Sequence, residues 1–113
     1  MTANNDDWGR DPAVMMMRQV FKAMEEAQSV FLRHTGISPL DPRLGTWRQP
    51  ARALFEKAWP EASRRGIDVT AERAAVIFVH CLANRIMKDG YAVSDDALPD
   101  DPEIEKVVRE VTP

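Results

Sequence analysis

The dipeptide Asp-Pro occurs three times in this chain, at residues 11–12, 41–42 and 101–102, just before stretches with helical periodicity. Aspartate is a favoured N-cap because its carboxylate accepts hydrogen bonds from the unpaired backbone N–H groups of the first turn. Proline suits the first helical position, since its fixed φ fits the helix and its missing N–H is not needed there. The three dipeptides therefore predict three helix starts and an all-α fold.

The spacing of the apolar residues extends these starts into helices, because side chains three and four residues apart share one helical face. Gly45 and Pro50 are expected to interrupt the second pattern soon after it begins. We predict a small helical bundle of four main helices, at about 12–35, 50–65 with a break at Pro60, 71–89 and 102–111, plus a short helical turn near 42–47.

The chain length of 113 residues is that of one domain. We predict a flexible tail over residues 1–10 and a single helical domain over residues 11–113. The tail contains one aromatic residue, Trp8, which we expect to pack on its own domain because exposing a large ring is unfavourable. The tail is also acidic and polar, which is not typical of a signal peptide.

The first helix contains three consecutive methionines, Met15, Met16 and Met17. Helical geometry predicts that Met17 points to the core with Val20 and Met24, that Met16 lies on the flank, and that Met15 lies toward the charged face. Methionine fills irregular gaps in cores and also suits adaptable binding surfaces. The run is therefore either core with one incidental exposed residue or a recognition patch, for which Met15 and Met16 are the candidate partner-binding residues.

The last two helices differ in how much apolar surface they carry. Helix 71–89 is apolar on nearly all sides, which is typical of a central helix packed by several neighbours. Helix 102–111 is short and rich in valine, so its intrinsic propensity is too weak to hold it in isolation. It must pack on its own domain or on a second chain, and the second alternative would make the protein a homodimer.

Charge is distributed unevenly along the chain. Residues 33–65 have a net charge of +4 and residues 89–113 a net charge of −6, whereas the whole chain carries −3. Either these two segments attract each other within the fold, or the basic segment is a surface for nucleic acid. The second interpretation rests on a set of arginines interspersed with Trp47 and Trp59, which could contact phosphates and stack on bases. These candidate nucleic-acid-binding residues are Arg43, Arg48, Arg52, Arg64 and Arg65.

Few residues have the pattern of a catalytic or metal site. His80 and the lone cysteine, Cys81, are adjacent, so on a helix they point about 100° apart and do not form a nucleophile–base pair. Residues 87–98 resemble the second half of an EF-hand loop, but Met87 and Arg85 stand where calcium needs oxygen ligands. The candidate residues for a ligand pocket are Arg73, His80 and Asn84, which share the polar strip of helix 71–89.

The sequence thus predicts no catalytic residue, no metal site and no cofactor. Our leading interpretation is a non-catalytic, cytoplasmic interaction or regulatory protein that binds another protein or itself and has no membrane partner. The single cysteine fits a reducing compartment. Two alternatives stay open: a nucleic-acid-associated accessory protein using residues 43–65, and a small-ligand-binding protein or enzyme with a pocket near His80.

Overall fold

A computed structural model describes residues 12–113, which form an all-α fold and confirm the predicted fold class. No strand occurs within residues 12–113. The predictions for the tail, for Trp8 and for the Asp11 cap lie outside the described residues. The helices are α1 (Pro12–Thr35), α2 (Arg43–Arg64), α3 (Ala71–Lys88) and α4 (Pro102–Val111), with a short 3₁₀ helix at Asp95–Ala97.

Both described Asp-Pro dipeptides stand at helix starts. Asp101-Pro102 has the predicted aspartate cap and first-turn proline, whereas Pro42 itself precedes α2, which begins at Arg43. Asp101 accepts a hydrogen bond from the backbone N–H of Ile104 at 3.3 Å, and Pro102 occupies the first turn of α4. Asp41 accepts one from the backbone N–H of Arg43 at 2.9 Å, at the start of α2. At the C-terminal end of α1, the backbone of Gly36 has a φ of +76°, a conformation in which a residue with a side chain would be strained.

Helix α2 differs from the prediction, because it is one continuous helix from Arg43 to Arg64. The separate turn near 42–47 and the break at Pro60 are therefore wrong. Each internal proline, Pro50 and Pro60, removes one backbone hydrogen bond at a cost of roughly 3 kcal/mol. An unbroken buried face along the helix outweighs that cost: Leu44, Trp47, Ala51, Phe55, Ala58 and Ala62.

Helix α3 is the centre of the molecule and packs against α1, α2 and α4. Ten of its residues are buried, which matches the nearly all-apolar pattern of this segment. Helix α4 packs on both α2 and α3 through Ile104, Val107 and Val108, all fully buried. The short valine-rich helix is thus held by its own domain, so it does not depend on a second chain.

Helix α1 is attached on one side only. It packs on α3 and on the 3₁₀ helix, whereas no Cα atom of α1 lies within 8 Å of a Cα atom of α2 or α4. Helices α1 and α2 therefore rest on the same third helix with a groove between them, which the side chains of Gln28 and Arg48 bridge by a hydrogen bond. This arrangement places both a groove and an uncovered stretch of α1 on the surface.

Candidate interaction surface

The N-terminal half of α1 exposes large apolar side chains. No residue of this helix before Val20 is buried. Four apolar residues are about half exposed, and we call them the methionine surface: Met15 (46%), Met16 (45%), Met17 (52%) and Phe21 (50%). Single exposed apolar residues are ordinary, but four lie within seven positions here. Met17 and Phe21 are one turn apart on one face, and Met16 and Met15 lie successively about 100° further round the helix.

The prediction that Met17 lies in the core is wrong. Met17 is on the same helical face as Val20 and Met24, both of which are buried, yet half of its surface is exposed. Periodicity gives the direction of a side chain, but only a neighbouring element can bury it, and α1 has few neighbours here. The sequence-predicted candidates Met15 and Met16 are both exposed, and Met17 and Phe21 join them.

The methionine surface borders a cleft on each side. Met15 and Met16 line a cleft of about 560 Å³ together with Asp68 and Val69 of the α2–α3 connection. Phe21 lines a second cleft, of about 320 Å³, in the groove between α1 and α2. Clefts beside an exposed apolar patch give a binding partner concave surface to fill.

Three of the five arginines proposed for nucleic-acid binding form ion pairs. Arg43 pairs with Asp41, Arg64 and Arg65 pair with Glu61, and Arg65 also reaches Glu110 at 2.7 Å. The last contact joins the basic segment 33–65 to the acidic segment 89–113. The charge of these three arginines is therefore largely balanced within the protein.

The carboxylates of Asp41 and Glu61 remain charged far into the acidic range. The guanidinium of Arg43 donates hydrogen bonds to Asp41 and lowers the pKa of that carboxyl to about 2. Hydrogen bonds from Arg64 and then Arg65 lower the pKa of Glu61 to about 2. Each pair thus stays ionised at physiological pH.

The other two arginines, Arg48 and Arg52, lie one turn apart on α2 and line the 320 Å³ cleft. Arg48 donates its Nε–H to the side-chain oxygen of Gln28 on α1 at 3.1 Å. Within residues 12–113, no carboxylate oxygen comes within 4 Å of either guanidinium. Of the five candidate arginines, Arg48 and Arg52 are therefore the two whose charge is not balanced by a carboxylate of the described residues.

Arg43 belongs to an aromatic cluster that sequence reasoning missed. Its guanidinium lies 4.8 Å from the centroid of the Tyr91 ring and 5.3 Å from that of Trp47. Trp47 is buried and donates its indole N–H to Asp89 at 2.7 Å. This ring is therefore an anchor between the start of α2 and the end of α3, and it is not accessible for stacking on a base. The spacing of Arg43 and Trp47 indicates that these two residues share a helical face. Tyr91 is 48 residues from Arg43, so no local pattern could have placed it in the cluster.

The three residues proposed for a ligand pocket instead hold the C-terminal segment. Arg73 pairs with Asp101 at 3.2 Å and Glu103 at 3.1 Å. The Nε2–H of His80 donates to the carbonyl oxygen of Pro99 at 3.1 Å, and the Asn84 amide donates to the Thr112 hydroxyl at 3.3 Å. The structure places His80 and Asn84 in one cleft of about 520 Å³, but Arg73 does not line it. Their polar atoms are used to attach residues 99–112 to α3.

His80 is buried rather than on an exposed polar strip, and its neighbour Cys81 is fully buried. Burial raises the pKa of the Cys81 thiol to about 12, so this cysteine does not form a reactive thiolate at neutral pH. Among the residues that the structure describes, no cluster of His, Cys, Asp and Glu is arranged to hold a metal ion.

None of the described helices combines the length and apolar character needed to cross a lipid bilayer. Comparison with protein-family models, with curated proteins and with solved structures finds no match to this chain. The function of the protein has to be inferred from its own surface.

Proposed function

We propose that this chain is a non-catalytic, cytoplasmic interaction or regulatory protein that binds another protein through the methionine surface. One observation carries the proposal: four large apolar side chains are half exposed within the first half of α1. Contiguous apolar patches on a domain of this size mark sites of association, because leaving them in water is unfavourable.

The chemistry of the patch suits a protein partner. Methionine side chains are flexible and polarisable, so they adapt to different apolar surfaces, and an aromatic ring such as Phe21 is a frequent anchor. The four half-exposed side chains alone cover less than the ~800 Å² that each partner buries in a typical stable complex. The surface is therefore suited to a modest complex to which neighbouring clefts contribute.

The exposed residues of α1 support this function. Helix α4 does not support it, because its apolar face is buried against its own domain. The nucleic-acid alternative has less support, because Arg43, Arg64 and Arg65 have carboxylate partners. The enzyme or ligand-pocket alternative also has less support, since the polar atoms of His80 and Asn84 bind the C-terminal segment.

Position-resolved photo-crosslinking tests the proposal in the cells that make the protein. A photoreactive amino acid is placed at Met16, and at Lys106 on the exposed face of α4 as the control. We expect a discrete crosslinked protein from position 16 that is absent from position 106. The substitutions Met15→Gln and Met17→Gln in the same chain should weaken this product. Identical products from both positions, or none from position 16, would contradict the proposal.

Sedimentation of the purified protein separates the two kinds of partner. A dimer whose formation is weakened by Met15→Gln and Met17→Gln would identify the partner as a second copy. A monomer together with a crosslinked product of different mass would identify a different protein.

A further inference from the structure

The groove between α1 and α2 lies over α3, on which both helices pack, and the hydrogen bond from Arg48 to Gln28 crosses it. Met24 of α1 and Phe78 of α3 line its 320 Å³ cleft, and both are buried. Phe21 stands at the edge with half of its surface exposed. The groove therefore has two apolar side chains at its base among polar walls, and Phe21 joins it to the methionine surface.

Aromatic rings extend this apolar base along α2. Phe78 packs edge to face against Phe55, with 6.2 Å between ring centroids, and Phe55 packs against Trp59 at 5.3 Å. Phe55 and Trp59 line a further cleft, together with Pro60, of about 400 Å³. An apolar strip bordered by two helices fits the side chains that an amphipathic helix presents at i, i+3, i+4 and i+7.

One wall of the groove is basic. Arg48 and Arg52 project from consecutive turns of α2, and the Nε–H of Arg48 donates a hydrogen bond to the side-chain oxygen of Gln28. Glu25 on the opposite wall is the acidic side chain that lines this cleft. It lies more than 4 Å from both guanidiniums, since neither forms an ion pair with it. Two guanidiniums without a carboxylate partner are ready to bind carboxylates, which they can do with paired N–H groups.

We propose that this groove binds an amphipathic helix of a partner protein whose apolar face fills the aromatic strip and whose flank carries Asp or Glu for Arg48 and Arg52. This inference rests on the proposed function and specifies the chemistry of the partner. Complementary charge is the reason for choosing an acidic helix, because like charges across an interface would exclude a basic one.

A second copy of this chain does not supply such a helix from its described residues. The exposed apolar stretch of α1, residues 12–22, carries Arg18 and Lys22 and no carboxylate. Helix α4 is acidic at its start, but Ile104, Val107 and Val108 are buried against their own domain. Since the described residues of a second copy do not fit the groove, the partner that we propose is a different protein.

Fluorescence anisotropy with two designed peptides tests the inference on the full chain. Both peptides are amphipathic helices with leucine and phenylalanine at i, i+3, i+4 and i+7, and they differ only in having glutamate or lysine along one flank. We expect the glutamate peptide to bind at least about tenfold more tightly than the lysine peptide. Amide chemical-shift changes should be concentrated around Phe21, Arg48, Arg52 and Phe78.

Charge reversal provides the matched controls. The double variant Arg48→Glu and Arg52→Glu should lose the preference for the glutamate peptide or reverse it. The double variant Arg33→Glu and Lys106→Glu changes the net charge by the same amount at exposed positions away from the groove, and it should keep the preference.

Absence of peptide binding, equal affinity for the two peptides, or a preference that survives reversal at Arg48 and Arg52 would overturn the inference. Crosslinking from position 16 would still decide the proposed function independently. Salt-sensitive binding of duplex DNA that is lost on the same reversal would also overturn it, since the arginines would then serve phosphates.

Discussion

At the scale of single residues, the aspartates of the two Asp-Pro dipeptides within residues 12–113 each interact with two groups. Asp41 accepts a backbone N–H at the start of α2 and pairs with the guanidinium of Arg43. Asp101 caps α4 and pairs with Arg73 of α3. Each aspartate thus binds a backbone N–H at a helix start and also an arginine side chain. In the case of Asp101 this arginine is on α3, so the pair links α4 to α3.

These pairs predict how stability depends on pH. The folded-state pKa values of Asp41 and Glu61 are both about 2, below the ordinary values of 3.8 and 4.5. The unfolded chain therefore binds protons first, so the stabilisation is complete above about pH 4.5 and is lost as the pH falls toward 2. We expect the double variant Asp41→Asn and Glu61→Gln to flatten this fall in the free energy of unfolding, measured by urea denaturation at several pH values.

The matched control for this measurement is Asp68→Asn, at an exposed carboxylate that forms no ion pair with any residue of the range 12–113. This variant should keep the slope of the original protein. A double variant with the same pH dependence as the original protein would show that neither ion pair stabilises the fold.

At the scale of elements, local signals predicted helix ends well and helix continuity poorly. Asp101, Pro102 and Gly36 act through their immediate neighbours, so their positions in the sequence are sufficient. Pro50 and Pro60 are also local signals, but the buried face of α2 overrides them. That face gains its stabilisation from α3 and α4, which are distant in sequence and whose contribution no local pattern measures.

Pro60 offers a test of this competition. It is exposed in the interior of α2, so Pro60→Ala should restore a backbone hydrogen bond to Glu56 with little loss of packing. We expect the free energy of unfolding to rise by about 1–3 kcal/mol, since proline is the least favourable residue in a helix interior. The control Glu56→Ala, at an exposed position one turn earlier, should change it by less than about 0.5 kcal/mol. A lower stability for Pro60→Ala would mean that the proline ring itself is needed for packing.

The candidate sites were predictable to different degrees. Periodicity correctly placed Met15 and Met16 away from the core, but the exposure of Met17 depends on the absence of a neighbour above α1. Arg73 and Asn84 were recognised as polar, yet their partners, Asp101 and Thr112, are each 28 residues away. Sequence patterns give the direction of a side chain, and tertiary packing determines what it meets.

At the scale of the whole molecule, three helices form a closed unit and the fourth is attached on one side. Within residues 12–113, the backbones of α2, α3 and α4 all approach one another closely, whereas the backbone of α1 comes that close to α3 and the 3₁₀ helix and reaches α2 through the Gln28–Arg48 hydrogen bond. This asymmetry produces both the groove and the methionine surface. A fully closed bundle of the same helices would bury these residues, and no surface would then be left for the proposed partner.

The central claim is that the methionines at the start of α1 serve a partner rather than the fold. Met→Gln changes test it directly, because glutamine has a similar helix propensity and a similar unbranched shape. The triple variant Met15→Gln, Met16→Gln and Met17→Gln is compared by urea denaturation with the single variant Met24→Gln, at a buried position of the same helix.

We predict that the triple variant lowers the free energy of unfolding by less than ~1 kcal/mol, since about half of each side chain is already exposed to water. Met24→Gln should lower it by about 2–4 kcal/mol, because an amide would replace a thioether in the core. A triple variant as unstable as Met24→Gln would contradict the account, because the three methionines would then belong to the core of the protein itself.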